Sequence, residues 1–162
     1  MIQMQRKILR GLLVAITASV FISSTALAAL DEAGARQIAR QWVPEGSVYL
    51  STTEELDEYE VQFLVQENNS EYEIEISKST ALVTEVKTKL KNEQGSLTVK
   101  LNEKDVTSIV LSEFPSAKIG QVKLETDNGY KKYKVKFADG AIRGKMEINP
   151  ETGVILEREI KY

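Results

Sequence analysis

One stretch of this sequence occurs twice, and that constrains the fold more than composition does. Leu30-Asp-Glu, Ile38, Val43-Pro44, Val48, Glu58-Tyr-Glu-Val-Gln-Phe63, Glu75-Ile76 and Thr80-Ala-Leu-Val83 return as Leu101-Asn-Glu, Ile109, Phe114-Pro115, Ile119, Lys132-Tyr-Lys-Val-Lys-Phe137, Glu147-Ile148 and Thr152-Gly-Val-Ile155. The offset is 71 as far as the prolines and drifts by only about three residues afterwards, which marks one supersecondary unit used twice.

Each copy reads as a helix followed by four strands. In the first, Asp31 caps a helix with Ala35, Ile38, Ala39 and Trp42 on one face, ended by Pro44 and Gly46. Trp42 is therefore assigned to the core rather than to ligand stacking. Strands are predicted over 47–53, 59–66, 71–76 and 82–89. In the second copy, Asn102 caps a helix presenting Val106, Ile109, Val110 and Phe114, and strands follow over 119–125, 130–137, 141–148 and 154–161. Turns fall at 67–70, 78–80, 138–140 and 149–153. Alternation assigns Tyr59, Val61, Phe63, Tyr72, Ile74 and Ile76 to the core. In the second copy Tyr133, Val135, Phe137, Ile142, Gly144, Met146 and Ile148 take that place.

The class that follows is α+β, two tandem repeats, each a helix on a roughly four-stranded antiparallel sheet. Residues 1–28 form a signal peptide, 29–91 the first repeat, 92–100 a linker and 101–162 the second. A module of roughly 60 residues buries only about 60% of its unfolded surface, so two of them gain by packing together or by continuing one sheet into the next. Ile38 and Ile109 are expected at equivalent core positions under the helices.

The N-terminus points to export. Arg6, Lys7 and Arg10 precede an apolar run from Gly11 to Ile22, and Ala26-Leu27-Ala28 has the small-x-small form of a cleavage site, so the mature chain is expected to start at Ala29. A membrane association is expected only if that segment stays uncleaved. With 0 Cys the exported fold has no disulfide, and with 0 His the commonest general base and transition-metal ligand is missing. No nucleophile elbow, phosphate loop or dinucleotide fingerprint is present. Enzymatic activity is not expected, nor is a cofactor, and export together with an acidic balance argues against nucleic acid.

Charge divides the chain. Residues 29–95 hold 14 acidic and 6 basic residues, and 96–162 hold 10 acidic and 12 basic. The division is sharpest on the strand faces turned away from the helices. Glu58, Glu60, Gln62, Glu71, Glu73 and Glu75 in the first copy correspond to Lys132, Lys134, Lys136, Arg143, Lys145 and Glu147 in the second. Like charges on neighbouring strands repel, so such faces suit either solvent or a complementary partner. Lys132, Lys134, Lys136, Arg143 and Lys145, with Glu58, Glu60, Glu71, Glu73 and Glu75, are the candidate protein-binding residues. A cation site formed by Glu54, Glu55, Asp57 and Glu58 is the alternative, although the run lacks the spacing and glycine of a calcium loop.

The capped helix ending near proline, the Tyr-x-Val-x-Phe strand and the segment Ile148-Asn-Pro-Glu-Thr-Gly-Val-Ile-Leu156 together resemble the PepSY domain of peptidase propeptides. The match runs through 101–160 and is looser in the first copy, where Lys78-Ser-Thr-Ala81 lacks the glycine of the turn. The tandem plan is also similar in layout to the helix-plus-four-strand repeats of β-lactamase inhibitory protein. The resemblance implies a non-catalytic secreted or periplasmic protein-binding module, an inhibitor or regulator of an exported peptidase. A small-ligand or cation-binding envelope protein is the alternative, and oligomeric state is left open.

Overall fold

The computed structural model describes residues 30–162; the expected signal peptide lies outside them. Two helices and eight strands follow in the order α1 (Glu32–Arg40), β1 (Val48–Glu54), β2 (Glu58–Val65), β3 (Ser70–Ser77), β4 (Val83–Leu90), α2 (Glu103–Glu113), β5 (Lys118–Asp127), β6 (Tyr130–Asp139), β7 (Ile142–Ile148) and β8 (Ile155–Lys161). Both helices begin where a side chain can satisfy free backbone donors. Asp31 accepts from the Gly34 amide at 2.7 Å. Asn102 and Asp105 form a reciprocal capping box, the Asn102 amide donating to Asp105 at 2.9 Å.

The strands make one antiparallel sheet in the order β1-β2-β3-β4-β8-β7-β6-β5. The two groups of four join where β4 meets β8, with Val86 opposite Ile160 and Lys87 opposite Glu159. Register then carries one row across the sheet, Val61, Ile74, Val86, Ile160, Gly144 and Phe137. Side chains in one row share a face, so both helices must lie on the same side. There α1 packs on β1 to β3 and α2 on β5 and β6. Two apolar clusters result, one around Phe63, Ile74 and Ile76 and one around Val135, Met146 and Ile148.

Two expectations change. The fully buried helix residues are Ala35 and Ala39 in α1 and Val106 and Val110 in α2, whereas Ile38 and Ile109 are only partly buried. Ala35 with Ala39 and Val106 with Val110, one turn apart in each helix, form the line of closest approach to the sheet, and Ile38 and Ile109, one position to its side, pack at the margin of each cluster. Trp42 is not core. It lies beyond the end of α1, 37% exposed, with its ring edge-on to Tyr162 at 5.2 Å.

The predicted turn at Asn149–Gly153 is present and is anchored into the fold. Asn149 and Pro150 are buried; the Asn149 side chain accepts from the Glu151 and Thr152 amides and donates to the Gln94 carbonyl at 3.0 Å. The Pro150 carbonyl accepts from the amides of Lys100 and Leu101. The connector is thus tied to the β7–β8 turn. It is also tied to β6, through paired backbone bonds between Ser96 and Lys131. Gly95 permits this approach, because a Cβ there would stand 2.1 Å from the Lys131 carbonyl oxygen.

At the corresponding turn between β3 and β4, Ala81 adopts φ 56°, a left-handed conformation that Gly153 adopts at φ 76° in the β7–β8 turn. Left-handed backbone costs a residue with a Cβ about 1 kcal/mol or more. Ala81→Gly is therefore expected to raise stability by roughly 0.5 to 1 kcal/mol, measured by urea denaturation at constant m-value.

Candidate functional site

The helices cover one face of the sheet and leave the other open. Every strand from β2 to β4 and from β6 to β8 turns charged side chains to that open face, and register sorts them into rows. One row reads Glu60, Glu75, Glu85, Lys161, Arg143; the next Gln62, Glu73, Lys87, Glu159, Lys145, Lys136; the third Glu71, Lys89, Glu157, Glu147, Lys134, Lys123. The acidic and basic faces inferred from sequence are the two flanks of this one surface. What the sequence analysis missed is its centre, the β4 and β8 residues Glu85, Lys87, Lys89, Glu157, Glu159 and Lys161. Their period-two alternation was legible, but nothing local showed that β4 and β8 would be neighbours.

Ion pairs with the centre and within the flanks themselves neutralise part of both patches. Lys145 bridges Glu157 at 3.3 Å and pairs with Glu159. Lys132 reaches Glu147 at 2.7 Å and Lys134 reaches Glu125 at 2.6 Å. On the acidic side, Glu71 pairs with Lys91 at 2.5 Å and Glu73 with Lys87 at 3.7 Å. The ammonium groups respond: the bond to Glu147 raises the Lys132 pKa, and for Lys145 burial works the other way but is outweighed by Glu159 and Glu157. Bonds from Lys134 and Lys123 bring the Glu125 carboxyl down to about 2.

Five of the ten predicted residues are left without an opposite charge within ion-pair distance among the described residues. Glu58, Glu60 and Glu75 have no cation, and Lys136 and Arg143 have no carboxylate. Arg143 instead donates to the backbone carbonyls of Gly140 and Ile142 in its own turn. Glu75 is the most stressed acid. Desolvation, then the charges of Glu85 and Glu58, push its carboxyl up to about 7 against the weaker pull of Lys161. Glu73 is raised in the same way, by desolvation first and Glu60 next.

A carboxyl whose folded pKa is raised binds its proton more tightly in the native state. Its destabilising effect is absent below the unfolded pKa near 4.5 and is fully felt once pH passes about 7. Glu75→Gln is thus expected to leave stability unchanged at acid pH and to raise it at alkaline pH. Because the group is largely solvent-screened, the gain is about 1 kcal/mol or less. Chemical denaturation of both proteins across the pH range would show the two curves diverging.

The acidic run at Glu54, Glu55, Asp57 and Glu58 does not converge on a cation site. It forms the turn between β1 and β2, where Lys78 binds Glu54 at 2.9 Å and donates to the backbone carbonyls of Glu55 and Leu56. The three carboxylates that do approach within 4.8 Å of one another, among the described residues, are Glu60, Glu73 and Glu75. At one end of the open face the connector borders a hollow of about 300 Å³ lined by charges of both signs, Lys89, Glu93, Asp127, Lys132 and Glu157, together with Leu90, Tyr130 and Leu156. Among the described residues no helix is long and apolar enough to cross a membrane.

The chain is similar in structure to a candidate lipoprotein from Clostridium difficile 630, at 20% identity over 80% of this chain and 91% of that one, with a TM-score of 0.36. The Bacillus megaterium YpeB C-terminal domain is 16% identical over 80% of this chain and 62% of that one, with a TM-score of 0.42. A BLIP-like protein from Bacteroides fragilis NCTC 9343 is 13% identical over 76% and 82% of the two chains, with a TM-score of 0.33. No curated protein matches significantly. The part of the chain formed by α2, β5 to β8 and the turn that ties down the connector, residues 100–159, matches the PepSY family, the peptidase propeptide and YPEB domain.

Proposed function

We propose that the protein is a non-catalytic, exported protein-binding module whose open sheet face docks a partner in the cell envelope or outside it, a secreted peptidase being the partner class favoured by the PepSY match. The observation that carries this reading is the face itself. Both helices lie on the opposite side, and among the described residues the uncovered surface keeps unpaired acids on one flank and unpaired cations on the other. Such a surface steers a charged partner and fixes its orientation without any reacting group. Residues 30–91 are read as a second, more divergent copy of the matched domain, and the N-terminal 28 residues as its export signal.

The charges to test are those that hold no ion pair inside the fold among the described residues. Lys134 and Lys145 hold ion pairs, so reversing them would also disturb the sheet; Lys136 and Arg143 do not. The purified protein is expected to capture an exported peptidase and lower its activity on a protein substrate. Lys136→Glu with Arg143→Glu is expected to slow association about tenfold or more with little change in Tm, since Arg143 gives up only exposed bonds within its own turn, and salt is expected to slow association likewise. Binding and inhibition indifferent to both would remove the open face as the docking surface.

A cation-binding role has one observation in its favour, the approach of Glu60, Glu73 and Glu75. Calorimetry with Ca²⁺ decides it; heat of binding lost in Glu75→Gln would support it, and no heat would end it.

A further inference from the structure

The charges of the open face are complementary to themselves. We infer that this face also receives a second copy of the same chain, stacked face to face about a two-fold axis that runs along the β4–β8 seam. An axis lying parallel to the strands at that seam sets β4 of one copy over β8 of the other, β3 over β7 and β2 over β6, with each row kept level. Glu75 then faces Arg143, and Glu73 faces Lys145. At the seam Glu85 faces Lys161, while Lys87 and Lys89 face Glu159 and Glu157. Within these three rows the single like-charge meeting on these strands is Glu71 with Glu147, and both already hold a lysine, Lys91 and Lys132 respectively.

The pattern selects this axis over the other one available to a face-to-face pair. A two-fold across the strands lays the middle row on itself, Glu73 on Glu73, Lys87 on Lys87 and Lys145 on Lys145, where every contact repels. The axis along the seam also brings together groups that lack partners within one chain. Among the described residues Glu75 has no cation and Arg143 no carboxylate within ion-pair distance, yet they meet across the stack. Two sheets of the same twist pack aligned, as such a pair requires. Six strands over about seven residues present roughly 600 Å² per copy, near the lower limit of a specific interface, so the dimer is weak and salt-sensitive rather than obligate. The inference rests on the open face being a protein-binding surface, and it makes the second copy a competitor of any other partner.

Sedimentation velocity on the purified protein at about 0.02 M and about 0.5 M salt tests it, since screening shortens the reach of exposed charges to a few ångströms at the higher value. A concentration-dependent dimer at low salt that dissociates at high salt is expected. Glu75→Lys or Arg143→Glu alone should weaken association about tenfold or more, and the two together should restore it. The restoration is diagnostic. In one chain β3 and β7 are three strand spacings apart, about 14 Å, too far for the pair to form internally. A protein that stays monomeric at low salt, or a dimer indifferent to the single reversals, or a double variant no better than the singles, overturns the inference. Circular dichroism on each variant confirms that the fold is retained. If dimerisation fails while partner capture remains charge-sensitive, this inference falls alone; if capture is also indifferent, the reading of the open face falls with it.

Discussion

Ile74→Ala and Ile148→Ala are each expected to lower stability by roughly 2 to 5 kcal/mol, and each to shift a single unfolding transition. Both side chains are fully buried, Ile74 in the cluster under α1 and Ile148 in the cluster under α2. Truncation removes buried methyl groups and leaves a cavity that a hydrogen-bonded strand cannot close. The single transition follows from the β4–β8 ladder, which makes the two clusters halves of one sheet. Calorimetry reads both quantities. Two transitions, only one of them moved by each change, would show that the ladder at the seam does not couple the halves. By the same argument Ile38→Ala and Ile109→Ala, at partly buried positions, are expected to cost less than either.

The second large effect is expected from adding a single methyl group. A Cβ on Gly144 would lie 2.1 Å from the Cζ of Phe137 and within 2.5 Å of two more ring carbons. Phe137 cannot simply move away, because its ring packs against Phe114 at 4.7 Å beneath α2. Gly144→Ala is thus expected to destabilise by about 1 to 3 kcal/mol through overpacking, although alanine has the better intrinsic propensity. Gly120→Ala is the control, since its nearest neighbour would be the Lys136 carbonyl oxygen at 3.6 Å. Urea midpoints for the two variants should move far apart. Equal midpoints would mean that the Phe137 ring can be displaced at little cost.

Much of the local structure was legible because it depends on near neighbours. The caps at Asp31 and Asn102 need only a side-chain oxygen next to free amides, and the strand boundaries read from alternation fall within one or two residues of those observed. Alternation also separated the buried set of β2, β3, β6 and β7 from the charged set, since successive side chains on a strand leave opposite faces. A turn signal was overlooked at Asn128-Gly129, where both residues take positive φ, 49° and 85°, as a tight hairpin between β5 and β6 requires. Trp42 was misplaced for a different reason. The helical period puts it below Ala35 and Ala39, but α1 ends at Arg40 and the chain turns away before Trp42 reaches the core.

The candidate site divides along the same line. Which residues carry charge, and that they leave the helix side of each strand, was determined by sequence alone. Which charges remain available was decided by tertiary structure. The pairing of β4 with β8 brings together residues more than 70 positions apart in the chain, Glu85 with Lys161 and Lys87 with Glu159. Non-local register of this kind has no signature in a period of two residues. That one ladder turned two opposed patches into a single surface, while the β7–β8 ladder set the β8 carboxylates beside Lys145; among the described residues Glu75, Lys136 and Arg143 keep no oppositely charged partner. Sequence determined the sign of every charge on the open face; only the folded sheet, by fixing their neighbours, decided which of them are neutralised within the chain and which are left without an opposite charge among the described residues.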